Sequence, residues 1–333
     1  MDPLSQGVVG AVVPQSFAKR SSILWASVLG FVAGLAPDLD IFIRSENDPL
    51  LFLEYHRQFT HSLIFIPIGG LLCASFFYFL LKRKIRLGFK EIWLYSTLGY
   101  GTHGLLDACT SYGTLLFWPF SDYRFAWNNI SIIDPIFTLP ILFLVVIAAI
   151  RKNNLYAKIA LGWGLSYLIL GVVLNTLVLN MGQELASTRG HIIHKISAKP
   201  SFGNLLLWKV IYESNGQFHT DGIRILPNKK IYEGAKIKKL NEDIYFSWLP
   251  KNSQQYKDIQ RFKWFSNDHL AISPNNPNLI IDARYSMLPN EISGLWGIEV
   301  NRELATHEHI RFVTNRSLSK ERLNKLWSLI FSE

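Results

Sequence analysis

The sequence predicts a membrane α-helical bundle, with about five spans plus a short re-entrant or interfacial N-terminal segment, followed by a β-rich α+β extramembrane domain. Three observations carry this reading. Hydrophobic residues make up 49% and aromatic residues 14% of the 333 positions, and mean hydropathy is +0.16, high for a soluble chain of this length. Up to about Asn180 the apolar residues form long runs. From about Met181 the chain turns polar, rich in Asn, Lys and Ser, with short alternating segments. The shift separates a multi-pass domain, 1–185, from a water-facing domain, 190–333. Cys73 and Cys109 both fall in the apolar half, which argues against a disulfide framework. No basic stretch precedes Val8–Val13, so that run does not read as a cleaved leader.

Four segments approach the length needed to cross a ~30 Å hydrocarbon core at ~1.5 Å per residue: Ser22–Pro37, Ser62–Leu81, Ile132–Ile150 and Ala157–Leu179. A fifth, Ile92–Leu106, is shorter and carries His103, which suits a helix buried among the others. Gly7–Phe17 is apolar and rich in small residues but too short to cross. Basic clusters then set the topology. Lys19 and Arg20 precede the first span, Lys82, Arg83, Lys84, Arg86 and Lys90 follow the second, and Arg151, Lys152 and Lys158 fill the last short turn. With these on the cytoplasmic side, the alternate connections and the C-terminal domain lie outside. The formal charge of +9 partly reflects these anchors, so no nucleic-acid partner is needed to explain it.

Orientation fixed from Lys and Arg alone brings one set of polar residues to a single outer boundary. Asp38 and Asp40 end the first span, His56 and His61 precede the second, His103 and Asp107 end the third, and Asp134 opens the fourth. Imidazole and carboxylate are zinc ligands, and mixed sets also hold manganese or iron. His103 and Asp107, four apart, share one helix face. Asp38 and Asp40 require a disturbed backbone to converge, which Pro37 supplies. Four carboxylates at a partly desolvated boundary repel one another unless cations intervene. The expectation is a site for one or two divalent ions, zinc first, with all seven residues as ligands and Asp40 or Asp107 as the alternative general base. Pairing with Arg44, Arg57 and Arg124 is the competing structural reading.

Other motifs read as structure. Ser62 beside His61 suits a helix cap better than a nucleophile, since sequence neighbours rarely form a nucleophile–base pair. Ile68-Gly69-Gly70 and Leu161-Gly-Trp-Gly164 lack phosphate-loop spacing and read as close helix packing. Trp118, Tyr123 and Trp127 are interfacial anchors in the connection Cys109–Ser131. Beyond residue 190, strands are expected at Leu205–Tyr212, Gly222–Leu226, Lys230–Ile237, Ile244–Leu249 and Asn278–Tyr285, with a last helix over Ser319–Phe331. His191, His194, His219, His269, His307 and His309 lack ligand spacing, and Asp282 with Arg284 reads as an ion pair inside a sheet.

The ordered motifs Asp2-Pro-Leu-Ser-Gln6-Gly7, Pro37-Asp38-Leu-Asp40, His56-Arg57-Gln-Phe-Thr60-His61-Ser62, His103-Gly-Leu-Leu-Asp107, Thr114-Leu-Leu-Phe-Trp118-Pro119 and Asp134-Pro135 resemble a known family. It is the YdjM family of bacterial LexA-binding, inner membrane-associated, metal-dependent hydrolases. The tail stretches Asn204-Leu-Leu-Leu-Trp208-Lys209-Val and Ile281-Asp282-Ala-Arg284-Tyr285 are similar to those of longer members. Shorter relatives carry His where this chain has Gln6. The resemblance implies a bacterial inner-membrane location and a metal-dependent hydrolase, and it supplies no substrate. The resulting expectation is a metal-activated water acting at the outer membrane boundary on a lipid-linked or otherwise anionic ester or phosphoester. The alternative is a transporter or scaffold that binds a metal or proton without catalysis. Polar residues continuing through the inner halves of the helices would favour transport, and only Ser75, Ser96, Thr97 and Asn175 are scattered there.

Overall fold

A computed structural model describes residues 1–315 and 319–331. In chain order the helices of the first half are α1 (Pro3–Phe17), α2 (Ile23–Leu35), α3 (Leu51–Tyr55), α4 (Ile66–Leu81), α5 (Phe89–Cys109), α6 (Pro135–Arg151) and α7 (Leu155–Thr188). The chain divides into two compact units. One comprises Met1–Phe42, Tyr55–Leu174 and Phe202–Asn204, and the other comprises Ile43–Glu54, Asn175–Ser201 and Leu205–Glu333.

The first unit is helical. α2 continues past Leu35 as a 3-10 turn, Ala36–Phe42, so the backbone changes pitch at Pro37 as the sequence predicts. Two further 3-10 turns, Phe59–His61 and Leu63–Phe65, lead into α4. Glycines let α1, α2 and α5 meet backbone to backbone. A Cβ on Gly30 would stand 2.3 Å from the Gly10 carbonyl oxygen, and one on Gly99 2.4 Å from the Gly30 oxygen. Any side chain there would part the helices. Around this contact, Ile23, Leu29, Ala33, Ala74, Phe77 and Ile92 form a buried apolar cluster. α1 is buried along most of its length, from Ser5 to Ser16, so it does not present the apolar face of an interfacial helix.

Among the described residues, three helical stretches are long and apolar enough to cross a membrane: Ile23–Phe42, Leu63–Leu81 and Leu155–Thr188. Two of the expected spans fall short. α6 has 17 residues, and α5, with 21, carries Lys90, Glu91, His103 and Asp107. α5 has the composition of a helix that must bury polar side chains.

The second unit is sheet-rich. Its strands are β1 (Lys195–Pro200), β2 (Leu207–Ser214), β3 (Gln217–Arg224), β4 (Lys230–Tyr232), β5 (Lys236–Lys238), β6 (Leu270–Ser273), β7 (Asn276–Asp282), β8 (Trp296–Glu299) and β9 (Arg311–Thr314). The first sheet runs β1-β2-β3-β4 with β5 also on β3, and the second runs β6-β7-β8-β9, every pairing antiparallel. Asn215-Gly216, both at positive φ, turns β2 into β3 with Ser214 opposite Gln217. Helices α8 (Glu242–Tyr245), α9 (Gln254–Phe265) and α10 (Lys320–Phe331) complete the unit. The strand expected at Ile244–Leu249 is absent. Asn241 caps α8 by accepting from the Ile244 amide, and Glu242 and Asp243 follow in its first turn. Those start signals outweigh the alternating apolar pattern. Leu326 and Ile330 on α10 pack against Leu207 and Leu288, as the spacing of that helix predicts. Arg284 pairs with Asp282 at 2.7 Å.

Candidate metal centre

Each side chain of the centre hangs from an element whose local sequence fixes it. The 3-10 turn after α2 carries Asp38 and Asp40. The turn Phe59–His61 carries His61. α5 carries His103 and Asp107 one turn apart. A close approach completes the arrangement: a Cβ on Gly104 would stand 2.2 Å from the His61 carbonyl oxygen. The bare glycine lets the His61 backbone lie on α5 beside His103.

One ligand atom each from Asp38, His61, His103 and Asp107 falls within 4.8 Å of all the others. Asp38 Oδ1 is 3.4 Å from His61 Nε2 and 3.3 Å from His103 Nε2. Asp107 Oδ2 is 3.5 Å from His61 Nε2 and 3.9 Å from His103 Nε2. Ligand atoms ~2.0–2.1 Å from a tetrahedral zinc would stand ~3.3–3.4 Å from one another, so this cage needs little contraction. His61, His103 and Asp107 are buried, and His61 Nε2, His103 Nε2 and Asp107 Oδ2 each lack a hydrogen-bond partner. Arg57 Nε lies 3.0 Å from Asp107 Oδ2 without directing a hydrogen at it. Buried polar atoms left unpaired are costly, and three of them facing a fourth acceptor is the arrangement a cation satisfies.

The surrounding hydrogen bonds prepare both imidazoles. His103 Nδ1 donates to the Gly34 carbonyl at 2.6 Å, so its Nε2 keeps the lone pair. His61 Nδ1 lies 2.9 Å from Thr60 Oγ1 and 3.2 Å from Asp40 Oδ2, which gives it the same tautomer. Asp40 Oδ2 also accepts from Thr60 Oγ1 at 2.7 Å and from the Arg57 amide at 3.1 Å. Asp107 Oδ1 accepts from Gln6 Nε2 at 2.9 Å, and the Met1 amino group contacts it too. Arg57 sits at positive φ, 68°, with its side chain buried, Nη1 donating to Thr110 Oγ1 at 3.2 Å and Nε 3.0 Å from Asp107 Oδ2. It therefore pairs with the site's own carboxylate.

Asp38, Asp40 and His56 form a second close group. Here the contacts are already made, with His56 Nδ1 2.8 Å from Asp40 Oδ1. Asp40 thus reads as the residue that orients both histidines. Asp134, expected among the ligands, is not brought to either group. Its Oδ1 caps α6 through the Phe137 amide at 3.2 Å, and both oxygens accept from the Tyr167 hydroxyl, at 3.0 and 2.9 Å. Asp before Pro at a helix start is a capping signature, and that signal was available in the sequence. The Gly34 carbonyl and the contact at Gly104 were not foreseen. The first is backbone and leaves no trace in residue type. A glycine inside a helix beside His103 is a packing signal that could have been read.

Comparisons with known proteins relate the chain to inner membrane proteins. No solved structure matches the chain. The inner membrane protein YbcI of Escherichia coli (strain K12) is similar, 34% identical over 107 residues. That alignment covers 31% of this chain and 60% of YbcI, so the chain spans less than two thirds of that relative's length. The family model described as YdjM inner membrane protein matches residues 1–178, more than half of the 333, and takes in every residue of both ligand groups. The chain belongs to the YdjM inner membrane protein family.

Proposed function

We propose that the chain is a multi-pass, metal-dependent hydrolase of the bacterial inner membrane. In this reading α5 and α6 complete a five-span bundle, and the basic clusters hold the C-terminal domain outside the cytoplasm. Asp38, His61, His103 and Asp107 are the ligands of one divalent ion, zinc before manganese or iron, given two imidazoles and two carboxylates. A second ion at Asp38, Asp40 and His56 is the less favoured arrangement, because Asp40 already accepts from His56, Arg57, Thr60 and His61. The observation that carries the proposal is the facing trio of buried atoms that make no hydrogen bond, His61 Nε2, His103 Nε2 and Asp107 Oδ2, the last with the Arg57 ion pair beside it.

A bound divalent ion supplies Lewis acidity and a water acidified toward neutral pH. The chain's own residues supply the rest. Asp40 holds the partly exposed His56 ring by Nδ1, which leaves Nε2 to accept and return a proton. Asp40 and Thr60 keep His61 Nδ1 protonated. Arg57 and Gln6 hold the Asp107 carboxylate in place. The bond cleaved is an ester or phosphoester, with a lipid-linked substrate favoured by the membrane setting.

The test is metal analysis of the detergent-purified protein beside His61→Ala and Asp107→Asn, followed by an ester and phosphoester screen. Wild type should carry about one equivalent of metal that both variants lose. Equal metal in all three would overturn the proposal. Metal without turnover of any substrate would leave the non-catalytic binding protein as the better reading.

A further inference from the structure

A cavity of about 550 Å³ adjoins the metal centre within the helical unit, lined by residues that include Val32, Leu39, Phe59, Phe65, Leu72 and Phe76. Its walls are almost wholly apolar. The hydroxyls that reach it are engaged, Thr60 Oγ1 with Asp40 and His61, and the Tyr100 hydroxyl donating to the Thr60 carbonyl at 2.7 Å. A ligand inside therefore finds hydrocarbon and almost no polar partner. Volume and lining are those of a small-molecule site, and the absence of free donors selects an aliphatic chain over a head group.

Three elements are shared between this cavity and the centre. In the 3-10 turn after α2, Ala36 and Leu39 line the cavity while Asp38 and Asp40 belong to the ligand groups. In the next turn, Phe59 and Thr60 line the cavity and His61 is a ligand. On α5, Tyr100 lines the cavity and His103, three residues on, is a ligand. Neighbouring residues on one backbone thus serve both spaces, and a molecule in the cavity lies against the same three elements that carry the ligands, although the ligand side chains themselves do not line it. The outer parts of this wall are open. Leu39, Leu72 and Phe76 are each more than 60% exposed and lie on the apolar stretches Ile23–Phe42 and Leu63–Leu81, whose exposed sides face acyl chains if those stretches span.

The geometry points to this cavity as the seat of the hydrocarbon chain of a membrane lipid, entered sideways from the bilayer, with the lipid's polar linkage held at Asp38, His61, His103 and Asp107. The identity of that linkage as the scissile bond rests on the hydrolase reading above; the seating of the chain does not.

The test uses the full-length protein in phosphatidylglycerol vesicles doped with a phosphatidylglycerol that carries a diazirine in its acyl chain. Irradiation and peptide mapping should label Tyr100, which is buried and lines the cavity, as well as the exposed Phe79 outside it. Cys73→Trp fills the cavity and should lower Tyr100 labelling about tenfold or more, as expected for loss of several buried methylenes, with Phe79 labelling unchanged. Val32→Phe is the second variant should Cys73→Trp fail to fold. No labelling of Tyr100 in wild type, or labelling undiminished in a folded variant, would overturn the assignment. Metal analysis of the same samples separates the two readings. Labelled Tyr100 in a protein without metal removes the hydrolase reading, whereas unlabelled Tyr100 in a metal-bearing protein removes only the lipid seat.

Discussion

Two clusters of charge, one part-buried in the sheet-rich unit and one largely buried in the helical unit, solve the same physical problem in different ways. In the sheet-rich unit, Arg261 meets Asp48 at 2.8 Å, Glu54 at 2.5 Å and Asp258 at 3.0 Å, and His309 donates to Asp258 at 2.9 Å. Cation and carboxylates satisfy one another there, and the result ties the segment Ile43–Glu54 to α9. In the helical unit, Asp38, His61, His103 and Asp107 converge equally closely, yet the atoms at the middle of the cluster accept and donate nothing. Arg57 is within reach of Asp107 but sits to one side. Proximity of charged residues is therefore a poor guide to a ligand site. Donor atoms aimed at a common point with none of their bonds made is a better one.

Three experiments would break or sharpen this contrast. The largest effect is expected from Arg261→Ala, which strands two or three carboxylates. Stability of the sheet-rich unit should fall by about 2–4 kcal/mol, read as thermal unfolding by tryptophan fluorescence, with metal content unaltered. Loss of metal in this variant would show that the two clusters are coupled. Next comes Gly104→Ala, whose methyl would meet the His61 carbonyl. Displacing His61 without altering any ligand should weaken metal affinity by about 10–100-fold, measured by competition with a chelator, and unchanged affinity would show that the close approach is incidental.

The smallest effect concerns two lysines opposite each other on β1 and β2, Lys199 and Lys209. Lys209 Nζ donates to Ser286 and to the Glu291 carbonyl at 2.7 Å each, and burial lowers its pKa to about 7. Lys199 Nζ lies over the Tyr285 ring with no hydrogen bond, and burial pushes its pKa well below the ordinary range. This unpaired amine is not a demand for a counterion, because burial lets the lysine shed its proton and become neutral. For Lys209 the unfolded chain holds the proton between about pH 7 and pH 10.4 and the folded chain does not. Unfolding free energy should therefore rise through that window, by a few kcal/mol at most, and the slope should flatten in Lys209→Met. A slope identical to wild type would contradict the assignment.

Much of the centre was legible in the sequence because its residues are concentrated in short motifs. Pro37 announces the change of pitch that carries Asp38 and Asp40, His56 and His61 bracket a tight turn, and the spacing of His103 and Asp107 places both on one helix face. Asp134 shares residue type and boundary position with these; Pro135 beside it marks the helix cap, whereas its Tyr167 partner, 33 positions away, leaves no local signal. Distance along the chain also hid the Arg261 cluster, whose partners Asp48 and Glu54 lie 213 and 207 positions upstream in a segment with no periodic signal. In the sheets, the Asn215-Gly216 hairpin was readable from its turn residues. Short strands such as β6, β8 and β9, four residues each, carry too few side chains to show alternation. Ile244–Leu249 shows the opposite error, since alternation was present and local capping overrode it.

The backbone contacts among Gly10, Gly30 and Gly99 have a mechanical consequence for the centre. Side chains are the compliant layer between most helices, able to change rotamer and absorb displacement. Here that layer is missing at the mid-level of α2, the helix that leads directly to Asp38. Helices in direct backbone contact must shift together as one body. The donors carried by the turn after α2 and by α5 thereby keep their spacing when their surroundings change.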